Sequence, residues 1–235
     1  MSFAARVDRP AVLDWQAKGW ALVQGFLGPD DVDLLRREAD RLWADQSLFG
    51  LRGAVPNSAT RSDRLDPVID LSPPFATLAR DHRLMAEVDG VLGGAAQLMK
   101  DKFIAKPPGA GGYATHQDGA YWPGMGLDTS RFLTAIFFLD DATQENGAIE
   151  CAAGHHRRLL TEPDTVADPD EDQLGQFTMI EARAGDLLLL HSLTPHRSGP
   201  NRSAAMRRAL LYTFGVDPRP NLYAVYKQFQ QEARS

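Results

Sequence analysis

Hydrophobic and polar positions change their period once along this chain, near residue 97. Before that point the spacing is mostly helical. Val12, Trp15 and Gln16 share one face of a helix predicted over 9–18, which Gly19 breaks. Residues 20–27 are a mostly apolar run closed by Gly28-Pro29 and read as a first strand. Val32, Leu34, Leu35, Ala39, Leu42 and Trp43 form the stripe of an amphipathic helix, with Asp30 or Asp31 placed to cap it. Residues 75–83 and 84–92 read as a helix pair stopped by Gly93-Gly94, and Trp15, Trp20 and Trp43 read as core anchors.

From residue 97 onward short strands take over. Residues 97–106 open this half, and Lys102-Phe103-Ile104-Ala105-Lys106 sets an apolar centre between two lysines, which could answer an anionic substrate but more commonly mark a strand edge with solvated ammonium groups. A Pro/Gly loop over 107–112 follows. Residues 132–139 are almost continuously apolar and predict a buried strand, with further strands over 147–153, 177–181, 186–191 and 208–214. Many short strands behind a helical start predict a sandwich or squashed barrel. Two stretches follow neither period. Residues 49–74 are rich in Gly, Pro, Ser and alternating charge, and 161–175 are acidic with prolines. A segment of this kind is either a lid over a site or a mobile surface loop.

Composition narrows the picture only modestly. The chain has 235 residues, 43% of them hydrophobic, which suits a single domain over 1–235 with a helical part to about 98 and a β core over about 99–216. A net charge of -6 and the lack of a basic run argue against nucleic acid as a partner. Cys151 is the sole cysteine, so no internal disulfide forms, and it reads as a buried strand thiol. Residues 1–7 carry no apolar signal core and no stretch reaches membrane-span length, so the expectation is a cytoplasmic protein, a monomer or homodimer, working on a small molecule.

The candidate chemistry begins at His116-Gln117-Asp118. On an extended chain positions i and i+2 project to one face, so this imidazole and carboxylate can grip one ion together. A second polar stretch carries His191 and then His196-Arg197-Ser198-Gly199-Pro200-Asn201-Arg202-Ser203. Two histidines and one carboxylate make the facial triad of non-haem Fe(II) oxygenases, here His116, Asp118 and His196, with His191 as a weaker alternative ligand. His82, His155 and His156 read as structural or exposed.

In order along the chain stand Lys106-Pro107-Pro108-Gly109, His116-Gln117-Asp118, Leu139-Asp140-Asp141, Asn146-Gly147-Ala148, Gly154-His155-His156, Gly185-Asp186, the His196–Ser203 motif and Arg207. This ordered set, from about Trp20 to Phe214, resembles the phytanoyl-CoA dioxygenase-like family of Fe(II)/2-oxoglutarate oxygenases. The resemblance implies a double-stranded β-helix (jelly-roll, cupin-like) core, mainly β, flanked by N-terminal helices. It also implies Fe(II), 2-oxoglutarate as cosubstrate and O2, with hydroxylation of an unactivated C–H bond and release of succinate and CO2. Arg207, eleven residues after His196, falls where the family binds the 2-oxoglutarate tail. Arg suits that task because its planar fork holds a carboxylate in bidentate fashion. Ser198 is placed to donate to the same carboxylate, and Thr134 to touch the cosubstrate. Retention of Asp118 favours hydroxylation or another oxidation (desaturation, ring closure, epimerisation) over halogenation.

For the substrate, Trp122 stands six residues after His116, where the similar ectoine hydroxylases carry a pocket Trp, and Tyr121 and Lys106 are the other candidate contacts. Leu190 departs from that subfamily's aromatic, so the pattern does not assign ectoine. An amino-acid derivative or a natural-product intermediate fits the reading. The rival readings are a cupin-like metalloenzyme that does not use 2-oxoglutarate and a non-catalytic jelly-roll binding module.

Overall fold

The computed structural model describes residues 9–50, 64–160 and 169–232. The N-terminal elements are α1 (Arg9–Lys18), β1 (Trp20–Val23), α2 (Pro29–Ala44), the short α3 (Ser47–Gly50), β2 (Arg64–Leu65), α4 (Pro73–Leu78) and α5 (His82–Leu92). The strand-rich half contains β3 (Gln97–Lys106), β4 (Tyr113–His116), β5 (Phe132–Phe138), β6 (Ile149–Ala152), β7 (Phe177–Ile180), β8 (Leu187–His191), β9 (His196–Ser198) and β10 (Arg207–Gly215). Helix α6 (Leu222–Glu232) follows the last strand. A six-stranded sheet in the order β1-β8-β5-β10-β3-β2 and a four-stranded sheet in the order β4-β9-β6-β7 make up the jelly roll, and every strand pair in both is antiparallel.

The larger sheet is covered on both faces, which explains its continuous apolar runs. Along β8, Leu187 and Leu189 join the core formed with the helices, whereas Leu188 and Leu190 join the core between the sheets. The outward residues Phe103, Phe137, Leu210, Tyr212 and Phe214 pack with Val32, Leu35, Leu42, Phe75, Leu84 and Val88 of α2, α4 and α5. The inward residues Ile104, Ile136, Ala209 and Leu211 meet Ile149, Cys151 and Ile180 of the smaller sheet. On β3 the alternation turns Asp101 outward, where its carboxylate accepts the backbone N–H groups of Val68 at 2.5 Å and Ile69 at 2.7 Å. The same alternation sends Lys102 and Lys106 inward. The solvated-edge reading of these two lysines is therefore corrected, because β3 lies between β10 and β2 with its inner face toward the second sheet.

Two local expectations also change. Helix α2 is capped by Gly28, with Pro29 at its start, so Asp30 and Asp31 lie inside the first turn, where they complement the helix dipole instead of capping it. Within its stripe Val32, Leu35, Ala39 and Leu42 are buried, but Leu34 is exposed because it sits about 100° round the helix from that line. The predicted helix pair breaks at Ala79–Asp81, with Asp81 capping α5 and Gly93 ending it in the left-handed conformation. Residues 51–63 of the first irregular stretch and 161–168 of the second lie outside the described residues, and with them about half of each candidate lid.

Candidate active site

The site forms where β4 and β9 run side by side. His116 and His196 are direct cross-strand partners, which brings their rings to 4.2 Å between centroids. Strand β4 ends at His116, Gln117 stays extended, and Asp118 opens a 3-10 turn, so the alternation persists for one more pair and turns Asp118 back toward His116. One ligand atom from each of His116, Asp118 and His196 lies within 4.8 Å of the others. The intervening Gln117 points the other way: its amide donates to the carbonyls of Leu193 and Arg158 and accepts from the Leu160 N–H, tying down the loops behind the metal-binding turn.

Hydrogen bonds fix the three groups for coordination. The Nδ1 atoms of His116 and His196 meet the carbonyl oxygens of Ala114 at 2.8 Å and Thr194 at 2.9 Å, so each ring carries its proton there and offers Nε2 as a lone pair. Burial, reinforced by the neighbouring His196, lowers the His116 pKa to about 3, and burial also lowers that of His196, so both rings are neutral at pH 7. For Asp118, burial favours the acid form, but Lys102 and the two histidines outweigh it and hold the carboxyl well below its usual range. Thr134 donates to Asp118 Oδ2 at 2.8 Å, leaving Oδ1 toward His116 at 3.7 Å. Two neutral imidazoles and one ionised carboxylate, clustered and oriented, suit Fe(II) and leave coordination positions for other ligands.

One end of the adjoining cavity is strongly cationic. Arg207 pairs in register with Lys106, and both are buried. The Lys106 ammonium donates to Ser198 Oγ at 2.7 Å and to the Gly199 carbonyl at 2.7 Å. Since Ser198 accepts there, its own O–H is left to donate into the cavity, beside Arg207. The motif after His196 builds this corner. Asn201 donates to the carbonyls of Lys106 and Ala205 and accepts from Ser203, folding the turn back against β3. A side chain at Gly112 or Gly147 would collide with the backbone of Ser198 or Gly199, so only glycine lets those loops press on the end of β9. Arg208 faces out and pairs with Asp140 and Asp40, as alternation predicts.

The cavity, about 430 Å³, runs from this corner past the triad to α6. Trp122 and Tyr121 line it, Trp122 buried against Met99, Phe132 and Tyr226, and Tyr121 half exposed. Two of the expected contacts are held by the protein itself. Lys106 is not among the residues lining the cavity, and its ammonium donates to Ser198 and Gly199. Thr134 is fully buried and donates to Asp118, a candidate metal ligand. His191 accepts from the Leu193 N–H and packs near Trp15 and His156, away from the triad. Cys151 is buried beside His196 in the sheet, and burial pushes its thiol pKa up.

Sequence reasoning reached the far end only through Lys102, weighed as a cation for an anionic substrate, and missed the rest. Arg64, Lys100, Lys102, Tyr226, Phe229 and Gln230 line it. Asp66 pairs with Arg64 at 2.6 Å and with Lys100 at 3.5 Å. Burial opposes ionisation of that carboxyl, but Lys100 and Arg64 hold it below the usual range. Burial pulls Lys100 down and brings Lys102 to about 8. The i, i+2 spacing of the two lysines on β3 was the available signal.

The chain matches the phytanoyl-CoA dioxygenase (PhyH) family over residues 15–209. It is 34% identical over 208 residues to a 2-aminoethylphosphonate dioxygenase of an uncultured bacterium, covering 85% of this chain and 78% of that one. It is 26% identical over 219 residues to the methylphosphonate hydroxylase of Gimesia maris, covering 89% and 83%. Among solved structures, EctD from S. alaskensis with 2-oxoglutarate and 5-hydroxyectoine superposes with a TM-score of 0.81 at 21% identity, covering 94% of this chain and 84% of that one.

Proposed function

For a chain that belongs to the phytanoyl-CoA dioxygenase family, and so is an Fe(II)- and 2-oxoglutarate-dependent dioxygenase, we propose that the substrate is a small organophosphonate hydroxylated at a C–H bond. The observation that carries this reading is the cluster of Arg64, Lys100 and Lys102 in the cavity wall, in a chain similar to enzymes named for two phosphonates. A cavity of about 430 Å³ that also takes the cosubstrate suits a small substrate.

Bound Fe(II) and 2-oxoglutarate supply the oxidising chemistry: one atom of O2 enters the substrate as hydroxyl and the other enters succinate, with CO2 released. In this reading His116, Asp118 and His196 hold the iron, and Thr134 fixes the carboxylate ligand. Arg207 and Ser198 hold the distal carboxylate of 2-oxoglutarate. Trp122, with Ile104, Ile136 and Leu211, keeps the reacting carbon in a largely apolar, water-poor space. The enzyme works as one catalytic unit, since β1 and β2 from the helical half complete both edges of the larger sheet. Among the described residues no helix is long and apolar enough to cross a membrane. A cytoplasmic enzyme, monomeric or homodimeric, completes the proposal.

The test has two stages. Anaerobic addition of Fe(II) and then 2-oxoglutarate should produce a metal-to-ketoacid charge-transfer band. Succinate release should then be stimulated by methylphosphonate or 2-aminoethylphosphonate and not by ectoine. A band with stimulation by ectoine alone would keep the enzyme class and end the phosphonate reading.

A further inference from the structure

We propose that Lys100 and Lys102 on the inner face of β3, joined by Arg64 and the Tyr226 hydroxyl, form the subsite that binds the substrate's dianionic head group next to the metal. The proposal rests on the phosphonate reading and names the residues that would enforce it.

Charge at this end is unbalanced. Arg64, Lys100 and Lys102 are opposed locally by Asp66, which pairs with the first two. Asp101 is on the same strand but faces outward and is spent on the Val68 and Ile69 backbone. Asp118 carries a negative charge that a divalent metal at the triad would neutralise. Among the described residues two more cations than anions therefore line this end, the complement of a fully ionised phosphonate. Among the described residues Lys102 makes no hydrogen bond or ion pair, although it lines the cavity and its charge acts strongly on Asp118. A desolvated ammonium without a partner is costly to keep, and an anion that supplies oxygens to its three N–H donors offsets that cost.

Tyr226 adds a neutral donor. Its hydroxyl accepts from Gln230 Nε2 at 2.7 Å, which leaves its own proton to donate, and its ring lies 5.3 Å from the Lys100 ammonium. Ammonium groups suit a tetrahedral anion because their donors rotate freely, and the Arg64 fork can hold two of its oxygens, as the Arg207 fork at the opposite end can hold a carboxylate. The two ends of the cavity thus offer separate places for the two anions of the reaction. Lys102 and Asp118 line the same cavity, and the lysine's charge acts on that carboxylate, which puts the head group on the metal's side of the subsite.

The test uses the iron-loaded enzyme and the variants Lys100→Met and Lys102→Met, with the charge-transfer band as proof that each is folded and holds 2-oxoglutarate. The expected result is a rise of about 30-fold or more in KM for methylphosphonate and 2-aminoethylphosphonate in each variant. The 2-oxoglutarate concentration that half-develops the band should move by less than about threefold. Unchanged KM in both variants would overturn the subsite while leaving the phosphonate reading intact. A large shift in the 2-oxoglutarate requirement with unchanged phosphonate KM would overturn it too, since the lysines would then serve the cosubstrate. If wild type ignores phosphonates, inorganic phosphate becomes the probe. Inhibition of 2-oxoglutarate turnover that disappears in Lys100→Met would uphold an anion subsite and remove only the phosphonate, and no inhibition would sink both.

Discussion

The two ends of the cavity hold similar positive charge in different ways. At the Arg207 end the cations are buried and the Lys106 ammonium is already satisfied by Ser198 and Gly199, so the corner is built before any ligand arrives. At the Lys100 end the charge is larger than its local counter-charge, and Lys102 has no hydrogen bond or ion pair among the described residues. A preformed corner suits the cosubstrate, which every turnover requires. An unbalanced corner gains most from the ligand that balances it, which is how a site selects by charge. In the proposed reading the triad sits between them and serves both.

Removing the middle should erase the comparison altogether. Asp118→Ala takes away the one anionic ligand among three, and with it a negative charge that favours the Lys102 ammonium. Turnover should fall by at least about a thousandfold, measured as succinate release. Undiminished turnover would show that the cluster is not the metal site. Arg207→Ala should come next. A buried bidentate ion pair contributes about 3 kcal/mol, close to a hundredfold in affinity, so the apparent 2-oxoglutarate requirement should rise by about that factor. Its phosphonate KM at saturating cosubstrate should stay near wild type, and an equal rise in both would mean that the two ends are not separate.

Lys106→Met sharpens the same distinction. If Lys106 only shapes the corner, its loss frees Ser198 and should raise the 2-oxoglutarate requirement about tenfold, without the phosphonate effect expected of Lys100→Met. The reverse pattern would restore Lys106 as a substrate contact and remove the functional difference between two lysines on one strand face.

These two corners also differ in how legibly the sequence encodes them. The Arg207 corner is local: Ser198, Gly199, Asn201 and Ser203 lie in one motif, and Arg207 begins the strand that follows, so spacing alone places the groups together. The triad was legible for a similar reason, since His116 and Asp118 are two residues apart and motif context chose His196 over His191. The other corner draws Arg64 from an irregular stretch, two lysines from β3 and three residues from α6, the last described helix. No spacing links those elements. The direction of Lys102 and Lys106 depends on which face of β3 meets the second sheet, and that depends on β10 and β2 pairing with it. Strand positions came through well because a sheet covered on both sides writes long apolar runs such as those of β5 and β8. The contact of Thr134 with Asp118 was not legible, since it is a tertiary fact that joins residues sixteen apart in sequence.

That contact supplies the smallest of the expected effects and the most selective one. Thr134→Val keeps the shape of a β-branched residue in a buried strand and removes one hydroxyl. Asp118 then loses its 2.8 Å hydrogen bond, and the Thr213 hydroxyl at 3.2 Å loses its neighbour as well. Loss of a group that orients a metal ligand costs about tenfold or more in metal affinity. The Fe(II) concentration for half-maximal activity should therefore rise about tenfold. With iron saturating, both the 2-oxoglutarate requirement and the phosphonate KM should return to within about twofold of wild type, because neither cationic corner has been touched. If the 2-oxoglutarate requirement stays high at saturating iron, Thr134 reaches the cosubstrate after all, and the boundary between the metal and the Arg207 corner lies one residue further along β5 than its hydrogen bond implies.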